Sequence, residues 1–212
     1  MRLLCVLRRG GLDVATASGV SAVVLKSERL AFHQSLLRNL LTVNALGVPS
    51  NADKDNRSSV AIASGIARKL EARTGERAAA QTSGRAFEAV VADFVRASFL
   101  KLNHLRPGTW EIRQVGGRSR AEIARYAQYA HLVALQAAAD TNPALAAALG
   151  NDYTITPDVI VTRALESDER INQFEQLVDG TVATRADLRS GPGKSPLLHA
   201  SISTKWTLRT DR

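Results

Sequence analysis

Apolar positions recur at helical spacing through the first two thirds of the chain and at alternating spacing later. SERLAFHQSLLRNLL, Ser27 to Leu41, carries Leu30, Phe32, Leu36, Leu37 and Leu40 at roughly helical intervals, which predicts a helix with Ser27 as its cap. GVPSNADKDNRSS, Gly47 to Ser59, is a polar loop by composition, and SVAIASGIARKLEART predicts a second helix. ERAAAQTSG leads into the two longest helical signals, GRAFEAVVADFVRASFLKL (Gly84 to Leu102) and RSRAEIARYAQYAHLVALQAAA (Arg118 to Ala139). Between these two, GTWEIRQVG alternates as a strand does, with Trp110, Ile112 and Gln114 on one side and Glu111, Arg113 and Val115 on the other. TITPDVIVTRAL (Thr154 to Leu165) and PLLHASISTKW (Pro196 to Trp206) predict two further strands, separated by a helix near DERINQFEQLV and a Gly/Pro turn at SGPGKSP. Strands interleaved with helices predict an α/β architecture with a mixed central β-sheet.

Composition narrows the class without naming a chemistry. The 212 residues are 45% hydrophobic and 23% charged, enough for one substantial core, so a single domain is expected behind a poorly patterned extension at residues 1–26. The 28 Lys+Arg against 20 Asp+Glu leave a formal charge of +8, which suits a polyanionic partner or simply a solvated basic face. One cysteine, Cys5, excludes an internal disulfide framework and a cysteine-rich zinc site and points to a reducing, cytoplasmic home. The apolar run Leu3 to Leu7 is too short for a secretion signal, and no run of about eighteen apolar residues is present to span a membrane. An RNA-binding role is disfavoured, since aromatics are 5% of residues and the basic residues are dispersed.

Polar residues at positions that packing alone would not choose carry the chemistry. Glu88 shares a helix face with Val91, Ala92, Val95 and Phe99. It is read either as a stripe-edge glutamate reaching solvent or an arginine, or as a catalytic carboxylate. Asp158 follows Pro157 at the start of one strand, in phase with Ile160 and Thr162; Lys205 closes another, in phase with Ser203, Ser201 and His199. An acid opening one strand and a lysine closing another can meet at a common sheet edge. Phosphodiester hydrolysis requires a hard divalent cation on oxygen ligands, an activated water and a positive charge over the phosphate, and this set of groups can supply it. His33, His104, His131 and His199 have no metal-site spacing, VGGRSR is wrongly placed for a phosphate-binding fingerprint, and Tyr126 and Tyr129 read as packing residues.

At these residues the chain resembles the PD-(D/E)xK nucleases, and within them the type II restriction endonucleases of the NgoMIV kind, which recognise CCGG-centred sites. The resemblance runs from about Ser27 to Arg212 through TSGRAFEA, NHLRPGTWEIRQVG, AEIARYAQYAHL, GNDYTITPDVIVTR and PLLHASISTKWTLRTDR, in order. It implies a restriction-endonuclease-like fold over residues 27–212, a mixed sheet flanked by helices and incomplete at the C-terminus. It also implies a Mg²⁺-dependent enzyme that cuts double-stranded DNA at a GCCGGC-like site within a restriction-modification system.

The resemblance further implies roles. Asp158 would be the metal ligand, with the main-chain carbonyl of Thr204 a second one. Lys205 would position or polarise the attacking water, and Glu88 would stand beside the catalytic centre. The position two before the lysine is Ser203 rather than an acid. Relatives of this kind carry that carboxylate on a helix downstream of the lysine, which here would lie beyond Arg212. Arg209 and Arg212 resemble arginines that reach guanine, Asp211 a carboxylate that accepts from cytosine, and Gln81 a minor-groove residue. Without the resemblance the last three charges read as a solvated tail. A homo-oligomer, dimer or tetramer, is implied for the full-length protein. The alternative expectation is a catalytically inactive, truncated remnant that binds DNA weakly.

Overall fold

The computed structural model describes residues 14–75, 80–115, 122–150, 157–192 and 194–208. Its elements, in chain order, are α1 (Val14–Asn39), α2 (Arg57–Lys69), α3 (Ala80–Lys101), β1 (Trp110–Gln114), α4 (His131–Thr141), α5 (Pro143–Leu149), β2 (Val159–Arg163), α6 (Asp168–Ile171) and β3 (Leu197–Ile202). The α/β class is as expected, but the three strands pair in the order β1-β2-β3 and both pairings are antiparallel. A parallel neighbour requires a crossover to the opposite end of the sheet. The connection from β1 to β2 instead returns the chain to the end where β1 stops, and Val115 N–H donates to the Asp158 carbonyl at 2.8 Å.

β2 is the central strand, and its Val-Ile-Val-Thr run suits burial on both faces. Val159 and Val161 meet Ala92 of α3 and Ile112 of β1, with Val91, Val95 and Phe99 packed around them, so the predicted stripe on α3 is the stripe that docks. On the opposite face Ile160 and Leu198 pack with Ile123, Tyr126 and Leu132. Burying each such aliphatic side chain contributes about 1.5–3 kcal/mol. α3 also carries α1 on its outer side, where the Phe32 and Phe94 rings lie 5.0 Å apart and Lys101 pairs with Glu28.

Four elements differ from expectation. α1 runs unbroken through Ser27, which is therefore not its cap; the preceding residues contain no proline to stop it. α3 begins at Ala80, so AQTSG is helical rather than a loop. The helix predicted over 118–139 survives only as α4 within its described part. Residues 122–132 make i to i−3 turns, such as Tyr126 N–H to the Ile123 carbonyl at 3.0 Å, that press Ile123 and Tyr126 onto the sheet. The helix near DERINQFEQLV is only α6, because the Asn172 side chain accepts from Leu177 and Val178 N–H at 2.8 and 3.0 Å and takes over the backbone.

β3 contains a register shift opposite Val161 and Thr162, which pair with Ala200 and Leu198. The bulge leaves His199 unpaired, and its ring lies 4.9 Å from Trp110 and 5.7 Å from Phe99, on the α3 side. Strict alternation had put His199 in phase with Ser201, but Ser201 faces Tyr129 on the other side, Oγ to hydroxyl 3.0 Å.

Candidate active site

The end of the sheet where β1 finishes, β2 starts and β3 finishes gathers the polar residues that the patterning singled out. Fully buried Pro157 delivers the chain to Asp158, whose backbone extends the ladder in both directions. Its N–H donates to the Ile202 carbonyl at 2.9 Å and its carbonyl accepts from Val115. The Asp158 side chain is thereby placed against the segment that leaves β3.

That segment grips one carboxylate oxygen. Thr204 donates twice to Asp158 Oδ2, from its backbone N–H at 2.5 Å and from its hydroxyl at 3.1 Å. The other oxygen, Oδ1, accepts no hydrogen bond among the described residues. Lys205 follows at once, exposed and without an ion pair among the described residues. The aspartate is thereby oriented by the residue that precedes the lysine in the chain.

Glu88 reaches the same end of the sheet from α3. Its Oε2 accepts from Gln114 Nε2 at 2.8 Å, and Gln114 also donates to the Arg85 carbonyl at 3.3 Å. Gln114 is the Cα partner of Val159, the residue after Asp158. Glu88 is therefore a partly exposed carboxylate at the end of the apolar stripe, with one oxygen aligned by an amide. Next to it, Phe87 meets Trp206, the neighbour of Lys205, with ring centroids 5.2 Å apart.

The oxygens at this end of the sheet are of the kind a hard cation takes: Asp158 Oδ1 and the Thr204 carbonyl, which accept no hydrogen bond among the described residues, and the Glu88 carboxylate on α3. Among those residues no three His, Cys, Asp or Glu side chains gather closely enough to form a closed metal cage. Mg²⁺ retains several waters and takes only one or two carboxylates, so an open oxygen set of this kind fits it.

Gln114 and the two Thr204 donors were not anticipated as site residues. The signal for Gln114 was present: it is the polar member of the Trp110, Ile112, Gln114 face that packs toward α3. Thr204 had been expected to contribute only its carbonyl. Of the expected base-reading residues, Arg209, Asp211 and Arg212 lie outside the described residues; Gln81 falls in the first turn of α3 with its side chain outside them. Cys5 also lies outside them. Among the described residues no helix is long and apolar enough to cross a membrane.

The NgoMIV restriction enzyme family matches residues 32–212. The chain is 59% identical over 187 residues to the type II restriction enzyme NgoMIV of Neisseria gonorrhoeae. That similarity covers 87% of this chain and 65% of the relative, so the chain spans about two thirds of the relative's length.

Proposed function

The chain belongs to the NgoMIV restriction enzyme family, and from that premise we propose that it is a type II site-specific deoxyribonuclease that hydrolyses DNA phosphodiester bonds at a GCCGGC-like, CCGG-centred site with Mg²⁺. The observation that supports this reading is the clamp of Thr204, the residue before Lys205, on Asp158 Oδ2, with Oδ1 accepting no hydrogen bond among the described residues. A bound Mg²⁺ polarises the scissile phosphate and acidifies water. Asp158 Oδ1 and the Thr204 carbonyl would hold it, with Glu88 the nearby second carboxylate.

This chain's own groups then have defined tasks. Thr204 fixes the aspartate so that its open oxygen is preorganised rather than free to rotate. The Lys205 ammonium orients the attacking water and offsets the charge that builds on the phosphate as the water oxygen bonds to phosphorus and the opposite P–O bond breaks. Gln114 keeps Glu88 aligned. Arg209 and Arg212 would read guanines, Asp211 a cytosine amino group and Gln81 the minor groove. The full-length protein would act as a homo-oligomer in the cytoplasm as part of a restriction-modification system.

A second reading, a chain that binds DNA without cutting it, is favoured by one observation: no third acidic group joins Asp158 and Glu88 among the described residues. One experiment separates the two. The purified chain is incubated with plasmid bearing GCCGGC sites in Mg²⁺ or EDTA, beside Lys205→Ala and Asp158→Asn. Discrete fragments that require Mg²⁺ and vanish in both variants are expected. A folded chain that binds the DNA and leaves it intact would establish the second reading.

A further inference from the structure

Leu208 precedes Arg209, the first of the residues assigned above to base readout, and it is tied to a distant part of the chain. Its N–H donates to the Asn51 carbonyl at 2.9 Å, and its own carbonyl accepts from the Ser59 hydroxyl. Leu208 also bridges Ala52 in parallel. The loop 49–59 thus adds a short strand-like contact to the segment that follows the catalytic lysine.

Ser59 is built for this contact. It is 2% exposed. Its backbone N–H donates to the Asn56 side chain, which caps α2, and its hydroxyl oxygen accepts from Asp53 N–H at 2.8 Å. With that lone pair occupied and a single hydroxyl proton to give, Ser59 directs the proton at the Leu208 carbonyl. Removing the hydroxyl would leave two groups without this partner, the Asp53 N–H and the Leu208 carbonyl.

We propose that Ser59 is a positioning residue for sequence readout: by anchoring the Leu208 carbonyl it sets the direction in which the chain leaves toward Arg209, Asp211 and Arg212. The proposal rests on the nuclease reading above and adds to it a residue that touches neither DNA nor metal. A peptide unit is planar, so a carbonyl held by a buried hydroxyl fixes the plane of the bond that follows. Bidentate contacts from arginine to a guanine edge tolerate little misplacement, so the anchor acts on specificity more than on general affinity. Contacts to phosphate depend on charge, which Ser59 does not alter.

The test measures binding of the whole 212-residue chain to a labelled GCCGGC duplex and to a duplex with one changed base pair in the CCGG centre, with Ca²⁺ replacing Mg²⁺. Ser59→Ala is expected to lower the ratio of the two affinities by at least about tenfold, while affinity for the altered duplex holds. Asn56→Ala, which removes the cap of the same helix turn without touching Leu208, is the control for mere destabilisation and is expected to keep the ratio. Equal ratios in wild type and Ser59→Ala, or an equal loss in Asn56→Ala, would overturn the proposal alone. A wild-type chain that does not discriminate would overturn the nuclease reading and the proposal with it. Should Ser59→Ala not fold, amide hydrogen exchange of the wild type decides: the Leu208 amide, which donates to the Asn51 carbonyl in the same docked segment, must be protected, and exchange at the free-peptide rate would mean that the segment carrying the Leu208 carbonyl is not held against residues 51–59, which overturns the anchor.

Discussion

The Trp206 and Phe87 rings lie 5.2 Å apart, tilted by 50°, so the immediate chain neighbours of Lys205 and Glu88 are in contact. Two residues far apart in sequence are held in register by a contact that involves neither of them. The Trp206 indole N–H is buried without a hydrogen-bond partner among the described residues, so packing holds this ring in place.

Trp206→Ala should therefore reduce cleavage by more than tenfold, whereas Trp206→Phe should retain most of it. A misplacement of about 1 Å at a reacting group can cost on the order of a hundredfold. A double-mutant cycle with Phe87→Leu, followed by thermal unfolding, should return a coupling of about 0.5–1.5 kcal/mol, the range for aromatic pairs. Additive losses would show that the two rings act independently.

Gln114 orients Glu88 through a single 2.8 Å hydrogen bond. Gln114→Leu keeps the bulk and removes the donor, and should lower the turnover rate several-fold while raising the Mg²⁺ concentration needed for half-maximal rate. Gln114→Glu places a second carboxylate beside the first and should do more harm. Mg²⁺ titrations of initial rate on a plasmid substrate distinguish these outcomes, and a Gln114→Leu chain with the parental Mg²⁺ dependence would remove Gln114 from the site.

Thr204 holds Asp158 with a backbone and a side-chain donor, and only the second can be deleted. Thr204→Val should slow cleavage by about fivefold to tenfold, in line with roughly 1 kcal/mol for one hydrogen bond, and Thr204→Ser should restore it. Single-turnover rates at saturating Mg²⁺ are the measurement. An unchanged Thr204→Val rate would mean that the backbone N–H alone suffices.

What could be read ahead of the structure follows a physical division. The Val159 to Thr162 run, the α3 stripe ending on Glu88 and the alternation of Trp110, Ile112 and Gln114 depend on local periodicity, and all three stand. The bulge at His199 depends on rings contributed by α3 and β1, which no pattern in β3 encodes. The tight turns at 122–132 likewise answer to Ile160 and Leu198 from other strands. The loop from Asn172 onward has helical composition, but the Asn172 amide and the Asp179 carboxylate divert its backbone hydrogen bonds. Ser59 and Leu208 meet across 149 residues, a contact beyond any local signal.

The long loop between α6 and β3 is organised by Arg189. It makes a two-pronged pair with Asp168, at 2.8 and 2.5 Å, and donates to the Asp179 carbonyl at 2.8 Å. The Arg189 guanidinium hydrogen-bonded to Asp168 holds that carboxyl below its usual range. A lowered carboxylate stabilises the fold above its unfolded pKa and loses that contribution as pH falls through the folded one. Arg189→Met should therefore open residues 172–190 to limited proteolysis at neutral pH, and acidification below about pH 4 should do the same to the parent chain. Equal digestion of parent and variant at pH 7 would show that the loop is held by its apolar contacts instead.

His199 responds to pH in the same direction for a different reason. Partial desolvation where the otherwise exposed ring meets Phe99 and Trp110, and then the positive charges of Arg106 and Arg163, lower its pKa below the ordinary histidine value. Arg106 Nη1 lies 3.4 Å from His199 Nε2, an arrangement that suits a neutral ring accepting a hydrogen bond from the guanidinium. Because the unfolded chain binds the proton more readily than the folded one, stability should fall as pH drops through about 6.5 and level off below the folded pKa. His199→Gln retains a polar side chain without the titration and should flatten the melting temperature between pH 7 and 5, while Lys205 and Asp158 at the far end of the sheet remain intact. Melting curves of the two chains over that interval are the measurement, and parallel pH profiles would mean that other groups carry the acid sensitivity.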